Sequence, residues 1–178
     1  MKKLLLAAVT IGAILTAGCT IWWGNKTTIS FDGLGMEISA DYVSVSSSQV
    51  DNYQIINKIL KAYKFENKSL IVARSALTTT ANAHEYATAS KEKLAQAIPG
   101  YEHQDDGTKQ FECGDTNVQW YTHSFAVSDP AGQDNAGKTY IIQYYFIAQG
   151  TPYIISQADR SSSHYSDFTS MLNSLHCS

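Results

Sequence analysis

The spacing of apolar residues changes several times along the chain, and each change marks an element. Leu4 to Leu15 is an apolar run broken only by Thr10 and Gly12, shorter than the roughly 20 residues a membrane-crossing helix needs. Between Thr28 and Ser39 two short alternating stretches flank Gly33-Leu34-Gly35, which predicts a pair of strands with a turn between them. From Val50 to Tyr63 the apolar residues Ile55, Ile56, Ile59, Leu60 and Tyr63 recur three and four apart. That is the period of a helix, and Ser48 or Asp51 would cap it. Leu70 to Ala73, apolar and bounded by polar residues, predicts a buried strand. A second helix is expected from Ala83, with Asn82 as N-cap and Glu85 three residues on as its capping-box partner. Pro99-Gly100 would stop it.

The second half reads mainly as sheet. Asp105-Asp106-Gly107 has the composition of a turn, and the runs Asn117 to Val127, Lys138 to Ala148 and Pro152 to Asp159 are rich in Tyr, Ile, Phe and Val. In Tyr140 to Ile147 both alternating sets are apolar or aromatic, so that strand is expected to be covered on both faces. Gln149-Gly150 is a hairpin turn. Ser161 to Ser163 offers caps for a last helix, whose stripe is Tyr165, Phe168, Met171, Leu172 and Leu175. Three helices on one antiparallel sheet make an α+β layered domain.

That order of elements resembles the PsbP-like fold, and is most similar to DcrB-like envelope lipoproteins. The resemblance is carried by Ser69-Leu70-Ile71-Val72 ahead of a helix containing Glu85-Tyr86, by the hairpin from Tyr140-Ile141-Ile142-Gln143-Tyr144 to Tyr153-Ile154-Ile155-Ser156, and by Phe168 to Leu175. It implies an antiparallel sheet covered by helices on both faces, an α/β/α sandwich. It also implies an accessory or assembly protein that acts by binding partners, and supplies no active-site residues.

The N-terminus changes the setting. Lys2 and Lys3, the apolar run and Thr16-Ala17-Gly18-Cys19 together form an export signal that resembles a lipoprotein signal peptide cut before Cys19. The expected organisation is a signal peptide over 1–18, a lipidated tether over 19–27 and one α+β domain over 28–178. Plain secretion is the alternative to lipid on Cys19. Trp22 and Trp23 would sit either in the lipid headgroup layer, which favours indoles, or in the core. Thr20 follows the cysteine where an inner-membrane lipoprotein commonly has Asp, so in a host with two membranes the resemblance points to the outer one, facing the periplasm.

Loss of Lys2 and Lys3 lowers the 13 Lys and Arg to 11, against 16 Asp and Glu, a formal charge of −5. No basic cluster is available for a phosphate backbone, so nucleic acid is not expected as a partner. With Cys19 taken by lipid, Cys113 and Cys177 remain as one pair. In an oxidising compartment they read as a disulfide, the alternative being two free thiols.

Gly132 to Thr139 satisfies the pattern of a phosphate-binding P-loop. That loop needs a helix leaving it, whereas Lys138 begins a strand-like run, so nucleotide is not expected. Asp129, Asp134 and Asn135 lack the spacing and the closing Glu of an EF-hand. His84 and Glu85 lack the second His of a zinc-protease helix, and His103, His123, His164 and His176 occur singly. No serine lies in a Gly-x-Ser-x-Gly elbow. The expectation is therefore a non-catalytic envelope lipoprotein without cofactor or metal, held at the membrane through Cys19 and binding another envelope protein. A carrier with an apolar cavity is the alternative. The ten-residue loop Ser128 to Gly137 is long for a hairpin, so Asp129, Gln133, Asp134 and Asn135 are its candidate contact residues. A tolerated insertion is the other reading of that loop.

Overall fold

A computed structural model describes residues 25–49, 57–75, 82–128, 137–160 and 165–177. The first elements are β1 (Lys26–Phe31) and β2 (Leu34–Ser39). They turn at Asp32 and Gly33, both at positive φ, so Leu34 and Gly35 belong to the strand and not to the turn. Then follow β3 (Val43–Ser44), β4 (Asn57–Phe65) and β5 (Lys68–Ser75). After the helix α1 (Ala83–Ala97) come β6 (Tyr101–Cys113), β7 (Thr116–Val127), β8 (Thr139–Ala148) and β9 (Thr151–Asp159). The chain closes with α2 (Tyr165–Leu172) and β10 (His176–Cys177).

Seven strands form one antiparallel sheet in the order β3-β4-β5-β9-β8-β7-β6, and β1-β2-β10 form a second, smaller sheet. Side chains alternate across the large sheet. On one face Tyr145 and Ile154 meet Tyr86 and Ala87 of α1, while Phe125, Val127 and Ile141 meet Leu94. Tyr86 and Tyr145 make an edge-to-face pair, centroids 5.4 Å apart. On the other face Trp120, Tyr144, Phe146 and Ile155 pack against Phe31, Leu34, Met36 and Ile38 of the small sheet and Phe168 and Leu172 of α2. The central strands β8 and β9 are thus covered on both sides, as the double apolar set in Tyr140 to Ile147 requires.

Three expectations are corrected. The described residues hold two α-helices, and the second face is closed mainly by a small sheet, so helices do not cover both faces as in an α/β/α sandwich. Asn57 to Tyr63, expected to end a helix, belongs to strand β4, while residues 50–56 lie outside the described ones. The misleading period comes from a bulge between Ile59 and Lys61. One extra residue puts Leu60 and Tyr63 in the main core and Ile59 and Ala62 with Ile71 and Ala73 in another, reproducing a three-residue spacing inside a strand. Finally, Asp105-Asp106-Gly107 is not a turn. These residues pair with Ser124, His123 and Thr122 in mid-strand, and the chain reverses after Cys113 with Gly114 at φ 60°.

The other boundaries agree with the sequence. Asn82 Oδ1 accepts from the Glu85 amide at 2.9 Å, which caps α1, and the helix stops before Pro99-Gly100. Gln149 and Gly150, both at positive φ, join β8 to β9. The capping serines 161–163 lie outside the described residues.

Candidate functional site

Strand β6 is an edge of the large sheet and mostly exposed, and α1 runs across its inner neighbours. Between them opens a groove of about 650 Å³, with Thr88, Lys91 and Glu92 on the helix side and Asp106, Thr108 and Tyr121 on the sheet side. At its floor lies His123, 2% exposed. On β7, Tyr121, His123, Phe125 and Val127 point to the α1 face, so His123 is the one imidazole in an otherwise apolar and aromatic row.

A bulge between His103 and Asp105 builds the rest. His103 pairs with Phe125 and Asp106 with His123, so the extra residue brings Asp106 back to the face that His103 occupies. Asp106 Oδ1 lies 2.7 Å from His123 Nδ1 and 3.2 Å from His103 Nε2. Its other oxygen accepts from Lys91 of α1. An ionised carboxylate only accepts, so Nδ1 of His123 carries the proton and Nε2 accepts from the Tyr101 hydroxyl at 2.8 Å. The two histidine rings lie nearly parallel, centroids 5.4 Å apart.

The electrostatics follow from these contacts. Burial works to raise the Asp106 pKa, but hydrogen bonds from Lys91, His123 and His103 outweigh it and bring it down to about 2. Burial pushes the His123 pKa below its usual value, with Asp106 opposing, and burial together with the Asp106 charge raises that of Tyr101. The resting state is an ionised carboxylate beside a neutral, buried imidazole whose two ring nitrogens are both engaged. Gly107 permits the close packing of β6 on β7 here, since a Cβ would stand 2.6 Å from Thr122 Oγ1.

Of the residues singled out in the sequence, Cys113 and Cys177 are brought together as a disulfide, Cα atoms 4.9 Å apart. Cys19, Trp22, Trp23 and the loop residues Asp129, Gln133, Asp134 and Asn135 lie outside the described residues. Both feet of that loop are described and stand at the Tyr101 end of the groove. Ser128 N donates to Gly100 O at 3.3 Å, and Lys138 pairs with Glu102 at 2.6 Å. Lys138 leads directly into strand β8, so no helix follows the P-loop-like segment. The cluster of His103, Asp106 and His123 was not legible as a unit. The available signal was one imidazole in the apolar alternation of β7, and nothing in the sequence pairs it with β6. Among the described residues no helix is long and apolar enough to cross a membrane.

No protein-family model and no curated protein matches the chain. Solved structures do. Cyanobacterial PsbP (CyanoP) from Synechocystis sp. PCC 6803 superposes with a TM-score of 0.57 at 13% identity, over 94% of this chain and 100% of that one. The Ran-binding protein Mog1p of Saccharomyces cerevisiae superposes with a TM-score of 0.51 at 11% identity, over 86% and 96%. At such identities the likeness concerns the fold. The domain has the PsbP- and Mog1-like architecture.

Proposed function

We propose that this chain is a non-catalytic lipoprotein of the DcrB-like kind, anchored in the cell envelope through lipid on Cys19, and that it acts as an accessory or assembly factor by binding another envelope protein. The observation that carries the reading is the open, charge-bearing groove between α1 and the β6–β7 edge, with the feet of the long 128–137 loop at one end. A partner segment there would meet Glu92 and Lys91 of α1 and Thr108 of β6. The fold can present a protein-binding surface, as the description of Mog1p as Ran-binding indicates. The carrier alternative has less support, because Trp120, Phe146, Phe168 and Leu172 fill the space between the large sheet and its second layer.

The test is site-specific photo-crosslinking in intact cells. A crosslinker at Glu92 or Thr108 should give one discrete protein adduct, and Lys91→Glu should abolish it. A crosslinker at Glu66, in the exposed β4–β5 turn, should give none. Equal adducts from all three positions would sink the proposal.

A further inference from the structure

The groove holds a second kind of chemistry that protein binding does not use. One ring nitrogen each of His103 and His123 and one oxygen of Asp106 all lie within 4.8 Å of one another. Two imidazoles and a carboxylate are the donor set of three-ligand zinc sites that keep a fourth position open. Calcium and magnesium prefer all-oxygen shells, so this set selects a borderline divalent transition ion.

We infer that His103, Asp106 and His123 form a binding site for a divalent transition-metal ion of the zinc class, with its open coordination position facing the groove. The geometry is close to what such an ion needs. Tetrahedral ligands about 2.1 Å from zinc stand roughly 3.4 Å apart, and Asp106 Oδ1 is 2.7 Å from one imidazole nitrogen and 3.2 Å from the other. Opening the first contact by about 0.7 Å, and bringing the two imidazole nitrogens, which lie within 4.8 Å of each other, to the same separation completes the set. It is within reach of an exposed strand edge.

The metal would occupy the position now bridged by the proton between His123 Nδ1 and Asp106. The neutral imidazole then carries its proton on Nε2, and the Tyr101 hydroxyl turns from donor to acceptor at the same 2.8 Å contact. Tyr101 is thus placed as the outer partner that ligating histidines generally have. His103 makes the matching change by binding through Nε2 with its proton on Nδ1. Lys91 opposes the ion, because its ammonium already neutralises Asp106 through the other oxygen. It sets the site's affinity below that of the same three ligands without a cation beside them.

The experiment is titration of the detergent-solubilised full-length protein with Co²⁺, read by its visible absorption band, followed by competition with Zn²⁺. One equivalent should bind, Zn²⁺ should displace it, and Ca²⁺ or Mg²⁺ in excess should not. His103→Ala and Asp106→Asn, both at exposed positions on an edge strand and checked for folding by circular dichroism, should each weaken binding by about tenfold or more. Lys91→Met should tighten it several-fold, a result that stray binding at His176, outside the groove, would not give. Absence of a saturable band, or binding unaltered in both His103→Ala and Asp106→Asn, would overturn the inference. Neither result depends on whether a partner protein uses the groove.

Discussion

Cutting the bond between Cys113 and Cys177 should loosen the molecule at one definite place. Cys113 ends the edge strand β6, and Cys177 lies in β10, which among the described residues is held to the small sheet by two pairs, His176 with Gly35 and Cys177 with Leu34. The disulfide therefore ties an edge of the large sheet to the small sheet across a sequence separation of 64 residues. Closing a loop of that length removes enough chain entropy from the unfolded state to stabilise the fold by roughly 4 kcal/mol. In a domain of this size each kcal/mol moves the melting temperature by about 2–4 °C, so reduction or Cys113→Ser should lower it by roughly 8–16 °C. The measurement is thermal unfolding by circular dichroism with and without reductant, beside a thiol count on protein carrying the lipid proposed for Cys19. Before reduction no thiol should react, and after it two should. Hydrogen exchange should show the amides of His176 and Cys177 opening first, because two ladder pairs cannot hold β10 alone. Two reactive thiols in unreduced protein, or a melting temperature that ignores reductant, would refute the reasoning.

Other expectations are independent of the disulfide. Cys19→Ala should abolish incorporation of a fatty-acid analogue and detergent partitioning, and persistent labelling would exclude lipid at that residue. Burial raises the Tyr86 pKa from 10.0 to about 12, with a hydrogen bond from Ser75 working the other way. The fold favours the neutral phenol, so this stability is complete below pH 10 and lost as pH climbs towards 12, a total of roughly 2–3 kcal/mol. Absorbance at 295 nm should show Tyr86 and its neighbour Tyr145 ionising only together with unfolding. Ionisation of all 11 tyrosines near pH 10 in a still-folded chain would contradict it. Phe168→Ala removes a fully buried ring that meets Tyr144 edge-on at 5.0 Å. It should cost about 3–5 kcal/mol in urea unfolding, and a loss under 1 kcal/mol would mean that α2 does not add to the cover that the small sheet gives the second face.

What the sequence discloses and what it conceals separate on a physical line. A strand covered on both faces, such as Tyr140 to Ile147, announces itself because all its positions but Gln143 are apolar or aromatic, and Asn82 announces α1 because capping is a contact between residues three apart. Strand β4 misleads because a bulge is set by the pairing with β5, where two residues face one, and the residues of β4 alone do not show it. The same cause hides the candidate site. His103 and Asp106 are three apart, and in a regular strand an odd separation sends side chains to opposite faces. Only the extra residue at the bulge, fixed by pairing with Phe125, Ser124 and His123, puts both beside the buried imidazole. Asp and Gly near that bulge look like turn formers when read alone. Paired with Ser124, His123 and Thr122 of β7, they instead place a carboxylate beside the buried imidazole, and Gly107 admits Thr122 where a side chain would collide. The irregularity that spoils the pattern is thus the feature that assembles the cluster.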